Sequence, residues 1–243
     1  MSKDAAFEFI PAKESDKRSP CPALNALANH GYLPRDGTDI TFSELLRTIK
    51  AVYNLSFPLA LLLTLAGFLT CARLSISRPT PKTDLFSTFD PFRWLSVSWT
   101  LNLSDLSARG WNKIAHDASL VHPSGVPSHA PDPALVSDLL ASAHRSKPHG
   151  LTLDALAAIH ARRERGIAQP LSSFHDQVAQ GESALAWLVM QNPSTGAIDE
   201  DTLKRWFGEE RLPEGWWESR RPVAPVGLSL ARRTAGQVRR LAH

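Results

Sequence analysis

The stretch Pro20-Cys21-Pro22, followed by Ala23-Leu24-Asn25-Ala26-Leu27-Ala28-Asn29-His30-Gly31, constrains this chain more than any other. A proline fixes its own φ and has no N–H, so Pro22 suits the first position of a helix, and Pro20 keeps that helix from starting earlier. Good helix formers follow, Gly31 supplies a stop, and Pro34 blocks any continuation. Cys21 therefore sits at a helix mouth, where unpaired amides and the positive end of the helix dipole favour a thiolate. Two readings follow from the residues: a metal-binding or nucleophilic thiolate, or a buried structural cysteine, which is the ordinary role of a lone one.

At 243 residues, 43% of them hydrophobic, the chain can build one sizeable domain with a real core. Its only cysteines are Cys21 and Cys71, which rules out a disulfide framework. The 27 Lys and Arg nearly balance the 24 Asp and Glu, and basic residues gather at the end, so there is no general nucleic-acid footprint and no nucleic-acid partner is expected. Residues 1–10 carry acids and lack the apolar centre of a secretory signal, which points to an intracellular protein. Residues 1–18 as a whole read as a polar, solvated arm.

Thr41-Phe42-Ser43-Glu44 matches a capping box and opens a helix with Leu45, Leu46, Ile49 and Val52. The run from Leu55 to Ala72 is apolar enough to suggest a membrane span, but its marginal length, Asn54 and Pro58 favour a buried core helix, so no membrane is expected. From Ser75 to Trp99, Pro79, Pro81 and Pro91 predict an irregular excursion whose Phe86, Phe89, Phe92, Trp94 and Trp99 cover a cofactor edge or close a satellite core. A helix capped by Ser104 or Asp105 is predicted through Trp111 and Ile114. Further helices are predicted around Leu135–Leu140, from Leu151–Asp154 to the Arg162–Arg165 cluster, over Ser172–Met190 and around Arg205–Phe207. Strand signals are weak. The fold class is all-α, a single compact helical domain over residues 19–218, with 219–243 as a basic, flexible tail.

Two further motifs carry chemistry. In Ala115-His116-Asp117-Ala118-Ser119-Leu120, the plain expectation is a helical histidine beside an acid that it never meets. In Gln180-Gly181-Glu182-Ser183, the neighbours Val178, Leu185, Ala186 and Val189 make the face of Glu182 apolar, so its carboxyl is expected to be desolvated, with a raised pKa suited to taking and returning a proton. His175, two helical turns before Glu182, shares its face and either assists it or lies along an access route or the surface. Phe174 and Val178, on the same helix, line a pocket beside Glu182 or serve helix packing.

The string PCPALNALANHGYLPRDG over residues 20–37 resembles the proximal segment of the fungal haem-thiolate peroxidases, the family of chloroperoxidase and the unspecific peroxygenases, in their short form. The likeness covers roughly residues 19 to 217 and rests on all three motifs. It implies a chloroperoxidase-like fold enclosing haem b, with Cys21 as axial ligand of the haem iron. It implies Glu182 as the distal acid–base residue, His116 as its orienting partner, and Asp117 in an orienting role. Relatives commonly place a glutamate where this chain has Ala115, and use its carboxylate, the serine hydroxyl matched by Ser119 and the backbone carbonyl matched by His116 to hold a cation beside a haem propionate. Without that anionic ligand, Mg²⁺ binding is expected to be weak or absent. The implied activity is hydrogen-peroxide-dependent: a ferryl intermediate that oxidises or oxygenates small organic substrates, or oxidises halide. The alternative is a haem-binding carrier or sensor with little turnover.

Overall fold

Helix α1 (Pro22–Asn29) begins with Pro22 in its first turn and Cys21 held extended at the N-cap. In this computed structural model, which describes residues 7–77, 96–147, 149–219 and 224–242, α1 ends at Gly31, whose φ of +74° lies in the left-handed region. A Cβ on Gly31 would also come within 2.9 Å of the Arg35 guanidinium. Strand β1 (Ile40–Thr41) leads into α2 (Phe42–Val52), where Thr41 and Glu44 close both halves of the capping box.

Helix α3 (Phe57–Cys71) buries Leu59, Ala60, Thr64, Phe68 and Cys71, yet leaves Phe57, Leu62 and Leu69 at least half exposed. The sequence predicts a buried helix, and the structure buries one face of it, because α2 and the strands behind α3 cover that side only. Its 15 residues span about 22 Å, short of the ~30 Å hydrocarbon core of a bilayer. No helix among the described residues is long and apolar enough to cross a membrane.

Strands β2 (Arg73–Ser77) and β3 (Ser96–Leu101) pair antiparallel, with Leu74 opposite Trp99, and β3 also pairs with β1. The excursion predicted between Ser75 and Trp99 is therefore ordered at both ends. Trp99 stacks on Phe42 at 5.8 Å and meets Phe68 edge-on at 4.9 Å, joining the main core. Pro79, Pro81, Pro91, Phe86, Phe89, Phe92 and Trp94 lie outside the described residues.

The helix predicted through Trp111 and Ile114 does not form. A 3₁₀ turn at Leu103–Ser107 opens on a capping box, in which the Asp105 carboxylate accepts the Asn102 backbone amide at 3.1 Å, and it stops where Ala108 turns extended at a ψ of 132°. Residues 108–132 then run without regular structure, and Trp111, 88% exposed, offers no apolar face to a helix. Regular structure resumes with α4 (Pro133–Arg145), capped by Asp132, then β4 (Leu151–Thr152) and α5 (Leu153–Arg165), capped by Thr152. Helix α6 (Ser173–Met190), capped by Ser172, precedes β5 (Ala197–Ile198), which pairs with β4. Helix α7 (Glu200–Leu203) continues into a π-helical turn at Lys204–Gly208, followed by α8 (Trp216–Ser219) and α9 (Leu228–Ala242).

The tail predicted to be flexible is corrected where it is described, and the polar arm, exposed over most of residues 7–17, is pinned to the domain at several points. In the arm, Phe7 stacks on Tyr32 at 4.2 Å, the Ile10 amide donates to the Asn29 carbonyl at 2.9 Å, and Arg18 is buried. In the tail, α9 packs on α5 and α6, with Ala157, Ala184 and Val238 fully buried together and Arg232, Arg233, Arg239 and Arg240 on the outer side. The 3.6-residue period of Ala231, Thr234 and Val238 forms the inner stripe, which the surrounding arginines obscure in the sequence. Val238→Ala should lower stability by about 2 kcal/mol, read as a reduced denaturation midpoint, whereas a flexible tail would give no change.

Candidate functional site

The Cys21 turn is fixed from inside α1. Asn25 is fully buried; its Oδ1 accepts the Ser19 amide at 2.9 Å, and its Nδ2 donates to the Ser19 carbonyl at 2.7 Å and to Glu210 Oε1 at 2.6 Å. One turn later, Asn29 Oδ1 accepts from Arg18 Nε and Nη2 at 3.1 and 2.7 Å, while its Nδ2 donates to the Glu210 carbonyl at 3.1 Å. Burial raises the Glu210 carboxyl to about 7, against the opposing pull of Asn25 and Arg18.

At the helix mouth, burial pushes the Cys21 thiol up to about 12, the charges of Glu182 and Glu210 act the same way, and hydrogen bonds from the Leu24 and Ala23 amides oppose them. The sequence expectation of a thiolate favoured by the helix alone is thus outweighed by desolvation. A cation beside the sulfur would favour the thiolate. Among the described residues no three His, Cys, Asp or Glu side chains converge as a metal site.

A cavity opens beside this turn, lined by Pro20 together with Arg109, Ala115, His116, Ser119, His122 and Glu182. Pro20 neighbours the cysteine, so the proximal turn and the two distal motifs meet at one space. His116 lies in the irregular 108–132 segment rather than on a helix. Its Nδ1–H donates to the Asp117 carbonyl at 2.6 Å, and its Nε2 faces Glu182 Oε2 at 3.2 Å. Burial opposes a charge on His116, but the Glu182 carboxylate and both hydrogen bonds outweigh it, and its pKa rises above the ordinary value. The Glu182 side chain is 50% exposed while that of His116 is 3% exposed. The desolvated carboxyl predicted for Glu182 is therefore corrected: on its face of α6, Leu185, Ala186 and Val189 pack into the core, but on the other side Phe174 is exposed and Val178 half-buried, and the carboxyl opens that way.

The Asp117 carboxylate does not meet His116. It pairs with Arg109 and accepts the Gly125 amide at 2.6 Å, so it ties the loop, and its carbonyl is what orients the imidazole. Ala118 adopts a φ of +65°, uncommon for a residue with a side chain, and its amide donates to Ser124 Oγ at 3.0 Å. Ser119 and Ala115 both reach the cavity, and Ala115 brings no side-chain oxygen to it. His175 accompanies the pair at one remove: its ring lies 6.4 Å from that of His116, and its Nε2 is bonded to the Lys113 carbonyl at 2.9 Å.

Sequence reasoning missed five contributors. Asn25, Asn29 and Arg18 left a weak signal, two amides at helical spacing in an otherwise apolar helix, whereas Glu210 looks like any surface acid. His122 is also new. It is buried, its Nδ1–H donates to Ser128 Oγ at 2.9 Å, that hydroxyl donates onward to the Ala130 carbonyl at 2.9 Å, and burial lowers its pKa against the pull of Glu182. Its Nε2 is buried without a partner on a residue that lines the cavity, the kind of orphan that a bound polar group satisfies. The donor set is of the kind a haem uses: a soft sulfur on the turn next to Pro20, and an acid–base pair with a spare imidazole nitrogen on the cavity.

The sequence model described as "Peroxidase, family 2" matches residues 7–221. Over 62 residues the chain is 47% identical to the aromatic peroxidase fscJ of Fusarium equiseti, a stretch covering 25% of this chain and 14% of that protein. Over 85 residues it is 38% identical to an aromatic peroxygenase of Cyclocybe aegerita, covering 33% and 23%, and over 33 residues 58% identical to the chloroperoxidase of Leptoxyphium fumago, covering 14% and 9%. The matched stretches thus span less than a quarter of the length of each of these relatives.

Glu210 gives a prediction on pH. Its carboxyl binds a proton more tightly folded than unfolded, so between about 4.5 and about 7 the folded state holds the extra proton and stability falls as pH rises. Glu210→Gln, which keeps the acceptor for Asn25, should flatten that fall, worth up to about 3 kcal/mol, in thermal midpoints measured across this range.

Proposed function

The chain belongs to peroxidase family 2, and from that premise we propose that it is a haem-thiolate peroxidase or peroxygenase that uses hydrogen peroxide to oxidise small organic molecules. The observation that carries this reading is the His116–Glu182 pair at 3.2 Å, on a cavity shared with the residue next to Cys21. Haem b would be held by Cys21, and no Mg²⁺ is assigned, because Ala115 offers no carboxylate to the cavity. When bound, the haem would supply an iron able to accept peroxide, and the Cys21 sulfur would donate electron density to it.

The chain's own residues manage the proton. Glu182, open to the cavity, takes a proton from the incoming peroxide and returns it to the departing oxygen. His116 keeps the carboxylate aimed: the Asp117 carbonyl fixes its Nδ1–H, so Nε2 points at Glu182, and a protonated imidazole stabilises the ionised base. Arg109 and the Gly125 amide hold Asp117, and so hold the carbonyl that sets the ring. The pair is pre-aligned by the loop, which lowers the cost of positioning at each turnover.

Glu182→Gln should leave haem binding intact and lower the rate of peroxide-dependent oxidation by about 10²–10⁴-fold, measured by stopped-flow kinetics on the haem-loaded protein. Equal, negligible turnover in both forms would instead leave a haem-binding carrier or sensor.

A further inference from the structure

A line of oxidisable rings leads away from the Cys21 turn. Tyr53 is buried, and its hydroxyl donates to the Ala23 carbonyl at 2.6 Å, two residues from Cys21. Its ring lies 6.0 Å from that of Trp216, in an edge-on arrangement, and Trp216 is also buried, with its indole N–H on the Val52 carbonyl at 3.0 Å. The next residue, Trp217, is 39% exposed. Its indole N–H donates to Tyr32 Oη at 2.8 Å, and the two rings lie 5.9 Å apart. Tyr32 and Trp217, with Phe7, Leu212, Pro213 and Glu218, line a surface cleft of about 480 Å³, a size that takes a small aromatic molecule.

Tyrosine and tryptophan are the side chains whose rings most readily release one electron. Tyr53 and Trp216 lie 6.0 Å apart, Trp217 follows Trp216 in the chain, and Tyr32 lies 5.9 Å from Trp217, so four such rings connect the Cys21 turn to a cleft that shares no lining residue with the cavity of Glu182 and His116. We propose that this cleft is a second oxidation site, where phenols too bulky for the buried cavity give up single electrons that pass inward through Trp217, Trp216 and Tyr53. This rests on the haem-thiolate reading above, which supplies the oxidant. Two phenols each lose one electron to the relay and one proton to solvent beside Glu218, and one hydrogen peroxide is reduced, giving two phenoxyl radicals and two waters. The apolar walls of Phe7, Leu212 and Pro213 hold the ring, and the Glu218 carboxylate selects against anionic donors.

The test uses the haem-loaded protein, hydrogen peroxide and a phenol tethered to soluble dextran, which cannot enter the buried cavity, with a small free phenol as reference. The tethered phenol should be oxidised; Trp216→Phe should lower its kcat at least tenfold with KM unchanged, and Trp217→Phe should raise KM as well, relative to the small phenol. Peptide mapping after peroxide alone should find oxidised Trp217 or Tyr32 in the wild type and much less in Trp216→Phe. Equal rates on the tethered phenol in all three proteins, or oxidation of the small phenol only, would overturn the second site and leave the haem-thiolate reading standing. Inertness toward both phenols would remove that reading, and the second site with it.

Discussion

The buried amide of Asn25 holds the rest of the site in register. It closes a ring of hydrogen bonds on Ser19, immediately before Pro20, and reaches Glu210, 185 residues further along the chain. Leaving such an amide unsatisfied in the core would cost about 1–3 kcal/mol per polar group, so the Pro-Cys-Pro turn and the segment after the π-helical turn are locked together or not formed at all. Arg18 and Asn29 repeat the device one helical turn on, and His129 extends it to the distal loop by bonding the Arg18 carbonyl at 2.8 Å. The position of the Cys21 sulfur is thus set by a polar network inside an otherwise apolar wall.

The opposite wall is built differently. His116 and His122 sit on a segment without regular structure, and that segment is stiffened by side-chain bonds: Asp117 to Arg109 and Gly125, Ser124 to Ala118, Ser128 to His122. Glu182 comes from a regular helix, α6, and meets His116 across the gap. A rigid helix thus supplies the acid–base group, and a tied loop supplies the ring that aims it, an arrangement that fixes the proton's path without burying the carboxyl. Desolvating Glu182 fully would raise the cost of its charge, and its half-open position avoids this.

Much of the helical frame was legible in the chain. Thr41 with Glu44, Ser172 and Pro22 mark helix starts through local chemistry, and local chemistry is what a sequence displays. The failures are non-local. Strands β2 and β3 find each other across the segment between them, so neither carries its own signal. The Asn102–Asp105 capping box marks a real start, but with Trp111 left in solvent no apolar stripe carries a helix past Ala108. Helix α9 read as a basic tail because Ala231, Thr234 and Val238 are a thin stripe among arginines. At the site, Cys21, His116 and Glu182 were visible as motifs, but the carbonyl role of Asp117 and the lone Nε2 of His122 depend on loop dihedrals such as that of Ala118, which no residue pattern encodes.

In the proposed enzyme Cys21 binds haem iron as a thiolate, held there by the metal because the protein alone leaves the thiol protonated. The decisive readout is the absorption spectrum of the reduced, haem-loaded protein under carbon monoxide. A strongly red-shifted Soret band that disappears in Cys21→Ala is the predicted result. A Soret band typical of histidine-ligated haem, or one unchanged in Cys21→Ala, would contradict it.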